Sequence, residues 1–102
     1  MVIVLGTITL QTADEADRVL TALIVRAKKS RADAGNLEYS FSRNLEDPKE
    51  ILLTEVWENE GLLMAHLQIP DPDFNNVLAT AKIEKAVVKA YDGSSERLLM
   101  KR

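Results

Sequence analysis

Apolar residues in this chain repeat with two periods, roughly 2 and roughly 3.6 residues, and the order in which the periods alternate leaves few folds open. From Val2 to Leu10, Val2, Val4, Ile8 and Leu10 fall on one side of a strand. Ile3, Leu5, Thr7 and Thr9 fall on the other, so both sides are mostly apolar or β-branched. Thr12 and Glu15 have capping-box spacing, in which each side chain satisfies an otherwise unpaired amide, so a helix starts there. Ala16, Val19, Leu20, Leu23, Ile24 and Ala27 then recur at helical spacing, with Asp17, Arg18, Arg26, Lys28 and Lys29 mainly on the opposite side. This predicts a helix to about Ala32, with Gly35 as its stop signal. Leu37, Tyr39 and Phe41 alternate with Glu38, Ser40 and Ser42, a half-buried strand from Asn36 to Asn44. Asp47 and Pro48 suit a turn, and Glu50 to Trp57 returns as the second strand of a hairpin. Asn59 caps a helix carrying Leu62, Leu63, Ala65, His66 and Leu67 that ends before Pro70. Asp71 to Asp73 reads as loop or cap, Phe74 to Ala81 as a short helix, and Ile83 to Tyr91 as a valine-rich strand before an Asp92-Gly93 turn.

Strand, helix, strand, strand, helix, strand is the split βαβ order of an α+β, ferredoxin-like domain with an antiparallel sheet. Its helices cover one sheet face. Strand three offers Ile51, Leu53, Glu55 and Trp57 on one side and Leu52, Thr54, Val56 and Glu58 on the other, so the second face also needs a cover. A second copy of the chain is the simplest one, which predicts a homodimer. No Pro-, Gly- or Ser-rich stretch divides the 102 residues, so residues 1–93 read as one domain and 94–102 as a tail or exchanged arm. With 13 basic and 16 acidic residues there is no broad basic surface to draw a nucleic acid. No apolar run approaches the roughly 18 residues of a membrane span, which excludes the membrane as a partner. The first residues alternate like a strand and lack a basic lead-in, and the chain has no cysteine, so a cytoplasmic location is expected.

The stretch Ala34-Gly35-Asn36-Leu37-Glu38-Tyr39, then Asp47-Pro48, Glu55-Val56-Trp57-Glu58, Ala65-His66-Leu67 and Phe74, resembles the antibiotic biosynthesis monooxygenase family over about Val2 to Tyr91. The resemblance implies a dimeric α+β barrel in which two ferredoxin-like sheets pack face to face, with a pocket in each subunit between sheet and helices. In polyketide-oxidising members an Asn lies four residues before the Trp and a Tyr six after it. Here those positions hold Leu53 and Leu63. Haem-degrading members carry an axial His on the helix after the Phe, a Trp on the preceding helix and an Asn on strand one. Here Asn75, Asn76, Val77 and Leu78 follow Phe74, His66 stands in place of the Trp, and strand one offers Gly6 or Thr7, so no haem ligand is implied.

His66 is the only histidine and the expected catalytic residue, a base or acid near neutrality; a structural histidine among Leu62, Leu63 and Leu67 is the other reading. Trp57 is either a flat wall for an aromatic ligand or a core anchor. Glu55, on the face of Ile51 and Leu53, must be paired if buried, by orienting His66 or by meeting a basic residue such as Arg43 at a subunit interface. Tyr39, Phe41 and Phe74 can line an aromatic pocket or fill the core, and Tyr39 is the better ligand contact because its hydroxyl needs a partner. With Leu53 and Leu63 from the family comparison, these make the substrate-binding set Trp57, Tyr39, Glu55, Phe74, Leu53 and Leu63. One histidine and no cysteine leave no set of metal ligands with suitable spacing, and no phosphate loop or nucleophile elbow occurs, so no cofactor is expected. The resemblance implies a cofactor-independent monooxygenase of a small aromatic, phenolic or quinol substrate. An isomerase or lyase of a small carbonyl compound using His66 and Glu55, and a non-catalytic dimer that binds a small hydrophobic molecule, are the alternatives. A pocket filled by Leu53, Leu63 and Trp57 themselves would favour the last.

Overall fold

The computed structural model describes all 102 residues. Its elements are β1 (Val2–Leu10), α1 (Ala13–Arg31), β2 (Asn36–Arg43), β3 (Glu50–Trp57), α2 (Glu60–Leu67), α3 (Pro72–Thr80) and β4 (Ile83–Asp92). The strands form one open antiparallel sheet in the order β2-β3-β1-β4. This is the ferredoxin-like βαββαβ arrangement, with the second helical segment split in two.

Local chemistry sets the boundaries. The Thr12 side chain accepts the Glu15 N–H at 3.0 Å and starts α1. Gly35 ends the turn after α1 at φ +81, and a Cβ there would stand 2.3 Å from a Leu62 methyl. Glycine is required at that point twice over, for the left-handed backbone and for the close approach of α2. The α3 helix begins at Pro72, two residues before the start expected at Phe74. Asp71 caps it by accepting the Phe74 N–H at 3.3 Å, and Pro72 occupies the first turn, where its missing N–H costs nothing. Asn75 and Asn76 therefore lie inside α3.

The helix-facing side of the sheet holds two apolar clusters. Val2, Val4, Tyr39, Leu53 and Trp57 pack with Ala27 of α1 and Leu63 of α2. Leu10 and Ile51 pack with Ala16, Val19 and Leu23 of α1, with α3 against them through Phe74 and Val77. Phe41 touches both clusters. The outer face carries Ile3, Leu5, Leu52, Val56, Val87 and Tyr91, which the registers β1–β3 and β1–β4 bring side by side. Leu5, Val87 and Tyr91 are exposed, so one protomer covers only one face of β1. Residues 94–102 form no helix or strand, and Leu98, Leu99 and Met100 are exposed. No helix is long and apolar enough to cross a membrane.

Candidate active site

Pairing of the hairpin places Tyr39 opposite Glu55, and the next helix-facing residue along β3 is Trp57. All three point toward the helices, and Trp57 has no exposed surface at all. Above them α2 presents Leu63 and His66, three residues apart and therefore on one side of the helix, and these are its only buried side chains. The His66 ring lies against the Trp57 indole at 4.6 Å between centroids and 32° between planes. Tyr39 meets the same imidazole edge-on at 5.8 Å. Four of the residues singled out from the sequence, Tyr39, Glu55, Trp57 and His66, are thus gathered at one point. Leu53 and Leu63 belong to the apolar cluster of Tyr39 and Trp57. Phe74 stands apart in the other cluster and is connected to the group through Arg26, whose guanidinium lies 4.7 Å from its ring centre.

Glu55 satisfies one oxygen with the Trp57 indole N–H at 2.8 Å. Within the protomer it makes no hydrogen bond to His66 and no pair with Arg43. Arg43 sits opposite Ile51, four residues and about 13 Å along the strand, and binds Asp17 at 2.7 Å instead. Burial pushes the Glu55 carboxyl up from the usual carboxylate range; the indole N–H and the nearby His66 and Arg26 offset this only partly. Burial likewise raises the Tyr39 phenol, reinforced by Glu55 and opposed by Arg26 and Ser30.

The group that orients His66 is Asp33, in the turn after α1, whose carboxylate lies 2.7 Å from Nδ1. On the other side of the ring, Arg26 Nη2 lies 3.1 Å from Nε2. A guanidinium can only donate, so Nε2 accepts and carries no proton. A carboxylate accepts, so Nδ1 carries it. The partners together select the neutral Nδ1–H tautomer. Arg26 is held in turn by Asp71, with Nη1 3.0 Å from Oδ2, and Lys29 adds a contact at 3.5 Å. The Asp71 carboxyl is pushed up by burial, but the Phe74 N–H, Arg26 and Lys29 outweigh this and hold it below the ordinary value.

Arg26, Asp33 and Asp71 are absent from the expected set. Arg26 reads as part of the solvent face of α1, yet its side chain is 12 % exposed, because α2 and α3 pack over that face. A buried arginine needs an acid, and Asp71 is 45 residues away along the chain, so no local spacing signals the pair. Asp71 is the cap expected from sequence and the ion-pair partner as well.

No cavity in the protomer is lined by Tyr39, Glu55, Trp57 or His66. A cavity of about 190 Å³ lies between α1 and α3 beside Arg26, Lys29, Asp71 and Phe74. No three His, Asp or Glu side chains are grouped so that they could hold a metal ion.

A family model described as antibiotic biosynthesis monooxygenase matches residues 1–71. Among solved structures, a Deinococcus radiodurans protein provisionally named an antibiotic biosynthesis monooxygenase superposes with a TM-score of 0.87 at 27% identity, over 99% of this chain and 100% of that one. A Nitrosomonas europaea protein with the same provisional name superposes at 0.83, with 18% identity over 93% of this chain and 100% of its own. No curated protein matches the chain.

Proposed function

The chain belongs to the antibiotic biosynthesis monooxygenase family, and from that premise we propose that it oxygenates a small aromatic, phenolic or quinol substrate without a cofactor. The observation that carries this reading is the state of His66. Its ring is oriented by Asp33 on Nδ1, meets Arg26 through Nε2 and lies on an aromatic wall, Trp57. An imidazole held by a carboxylate on Nδ1 and buried from water is suited to take a phenolic proton on Nε2 once the Arg26 N–H gives way. The phenolate is electron-rich enough to reduce oxygen itself. One ring C–H bond breaks and one C–O bond forms, the substrate supplies four electrons, and a phenol plus O2 gives a quinone plus water.

Because no cavity reaches His66, the substrate enters in this reading as α2 shifts, a helix with only two buried side chains, Leu63 and His66. Oxygen uptake with a panel of hydroquinones tests the reading. The wild-type protein is expected to consume oxygen, and His66→Gln to lower kcat by about 100-fold or more. Equal rates in the two proteins remove His66 from the mechanism, and turnover without oxygen points to an isomerase or lyase. A second reading, a dimer that binds a small hydrophobic molecule without catalysis, draws support from the close packing of Leu53, Leu63 and Trp57 with no cavity beside them. Binding with no turnover of any kind would select it.

The active unit in this proposal is a homodimer built on the outer sheet face, where Ile3, Leu5, Leu52, Val56, Val87 and Tyr91 would be covered by the same residues of a second copy. Light scattering is expected to give about twice the protomer mass of 11.4 kDa. A stable species at the protomer mass in the micromolar range contradicts this.

A further inference from the structure

We propose that Arg26 receives the phenolate oxygen of the substrate, displaced from His66 by the same hydroxyl that then gives up its proton there. The inference rests on the reading of His66 as the base. While Nε2 is bare it accepts a hydrogen bond from Arg26 Nη2 at 3.1 Å. Nε2 has one lone pair, so the phenolic O–H takes the place of Arg26 Nη2 on it; once the proton has moved to Nε2 both groups are donors and the old contact cannot re-form. A guanidinium does not release its own proton, so Arg26 must find another acceptor. The new acceptor is at hand, since the oxygen that has just lost its proton lies within hydrogen-bond reach of Nε2. The O–H electron pair stays on that oxygen, and Arg26 meets it as the charge appears.

The surrounding charges permit the exchange. Asp33, in the turn after α1, stands on Nδ1 and balances the imidazolium. Asp71, at the start of α3, keeps Arg26 anchored through Nη1, so only the Nη2 arm changes partner. Lys29 of α1 is about half exposed and pairs only with Asp71. Glu55 of β3 is bound by the Trp57 indole N–H at 2.8 Å, and its carboxyl is pushed up by burial. Tyr39 of β2 lies edge-on to the ring, and its phenol ionises less readily than usual. No other cation has a contact with His66.

The probe is 4-nitrophenol, whose ionised form absorbs visible light, bound without oxygen so that no turnover is needed. The wild-type protein is expected to bind it as the phenolate at a lower pH than the free compound requires. Arg26→Gln should raise the pH of half-ionisation by about one, while Arg26→Lys, which keeps the charge, should retain most of the effect. Ionisation lost in His66→Gln but unchanged in Arg26→Gln overturns the role of Arg26 alone, and equal loss in the Gln and Lys variants overturns it as a charge effect. Nitrophenol that binds to the wild type without ionising, or does not bind, overturns the base reading itself. Nitrogen NMR of His66 gives a readout independent of any ligand: the Nδ1–H tautomer is expected, and a ring protonated on Nε2 instead would refute the geometry.

Discussion

Trp57→Ala is expected to lower folding stability by about 3–5 kcal/mol, measured by urea denaturation followed by circular dichroism and fluorescence of an extrinsic dye. Trp57 is the largest side chain with no exposed surface. It sits at the end of β3, paired with Val2 on one side and Asn36 on the other, so its ring fills the corner where three strands meet α2. Truncation opens a cavity that the strand pairing does not allow to close, removes the surface on which His66 stacks, and leaves the Glu55 carboxyl without its indole donor. Trp57→Phe separates these effects. It keeps a ring in place and loses the N–H, with an expected cost of about 1–3 kcal/mol. An alanine variant within 1 kcal/mol of the wild type would mean that this corner collapses freely, contrary to the packing described.

Asp71→Ala is expected to cost about 3–5 kcal/mol. It removes the cap of α3 and the counter-charge of a largely buried Arg26 together, and the second loss dominates because an unpaired buried cation is far costlier than an absent cap. Asp71→Asn keeps the cap and isolates the charge. The sign of the pH dependence follows from the lowered Asp71 carboxyl. A group that holds its proton less tightly when folded stabilises the protein above its unfolded value, near pH 3.9, and that stability is lost as the pH falls through the folded value. The stability difference between wild type and Asp71→Asn should therefore be constant above about pH 5 and shrink below about pH 4. A difference that grows on acidification would show that the carboxyl is raised by its burial rather than lowered by its partners.

Both results depend on contacts that differ in how far they can be read along the chain. The alternation from Val2 to Leu10 and in the hairpin places β1, β2 and β3 because a sheet with one buried face sorts side chains by a period of two. That Trp57, Glu55 and Tyr39 lie together follows from the same periodicity once the hairpin register is known. The start of α3 was only partly legible: Asp71 and Pro72 have cap chemistry, but a short helix buries too little for periodicity to locate its end. Arg26 was misplaced. Its position on α1 opposite the sheet-facing residues indicates solvent only if nothing packs there, and what packs there is chain that follows 40 to 45 residues later.

The sequence by itself determined the order of the elements and the antiparallel α+β class, because periodicity, caps and turn residues act over a few neighbours and survive in any single chain, and it pointed to the family through its resemblance to known members. It also marked His66, by being the only histidine. Only the tertiary structure decided what that histidine meets. Asp33 and Arg26 come to its two nitrogens from 33 and 40 residues away, and a proton's place on a ring is set by partners in space. The same holds for the upward shift of the Glu55 carboxyl, which comes from the water removed by helices packed over it.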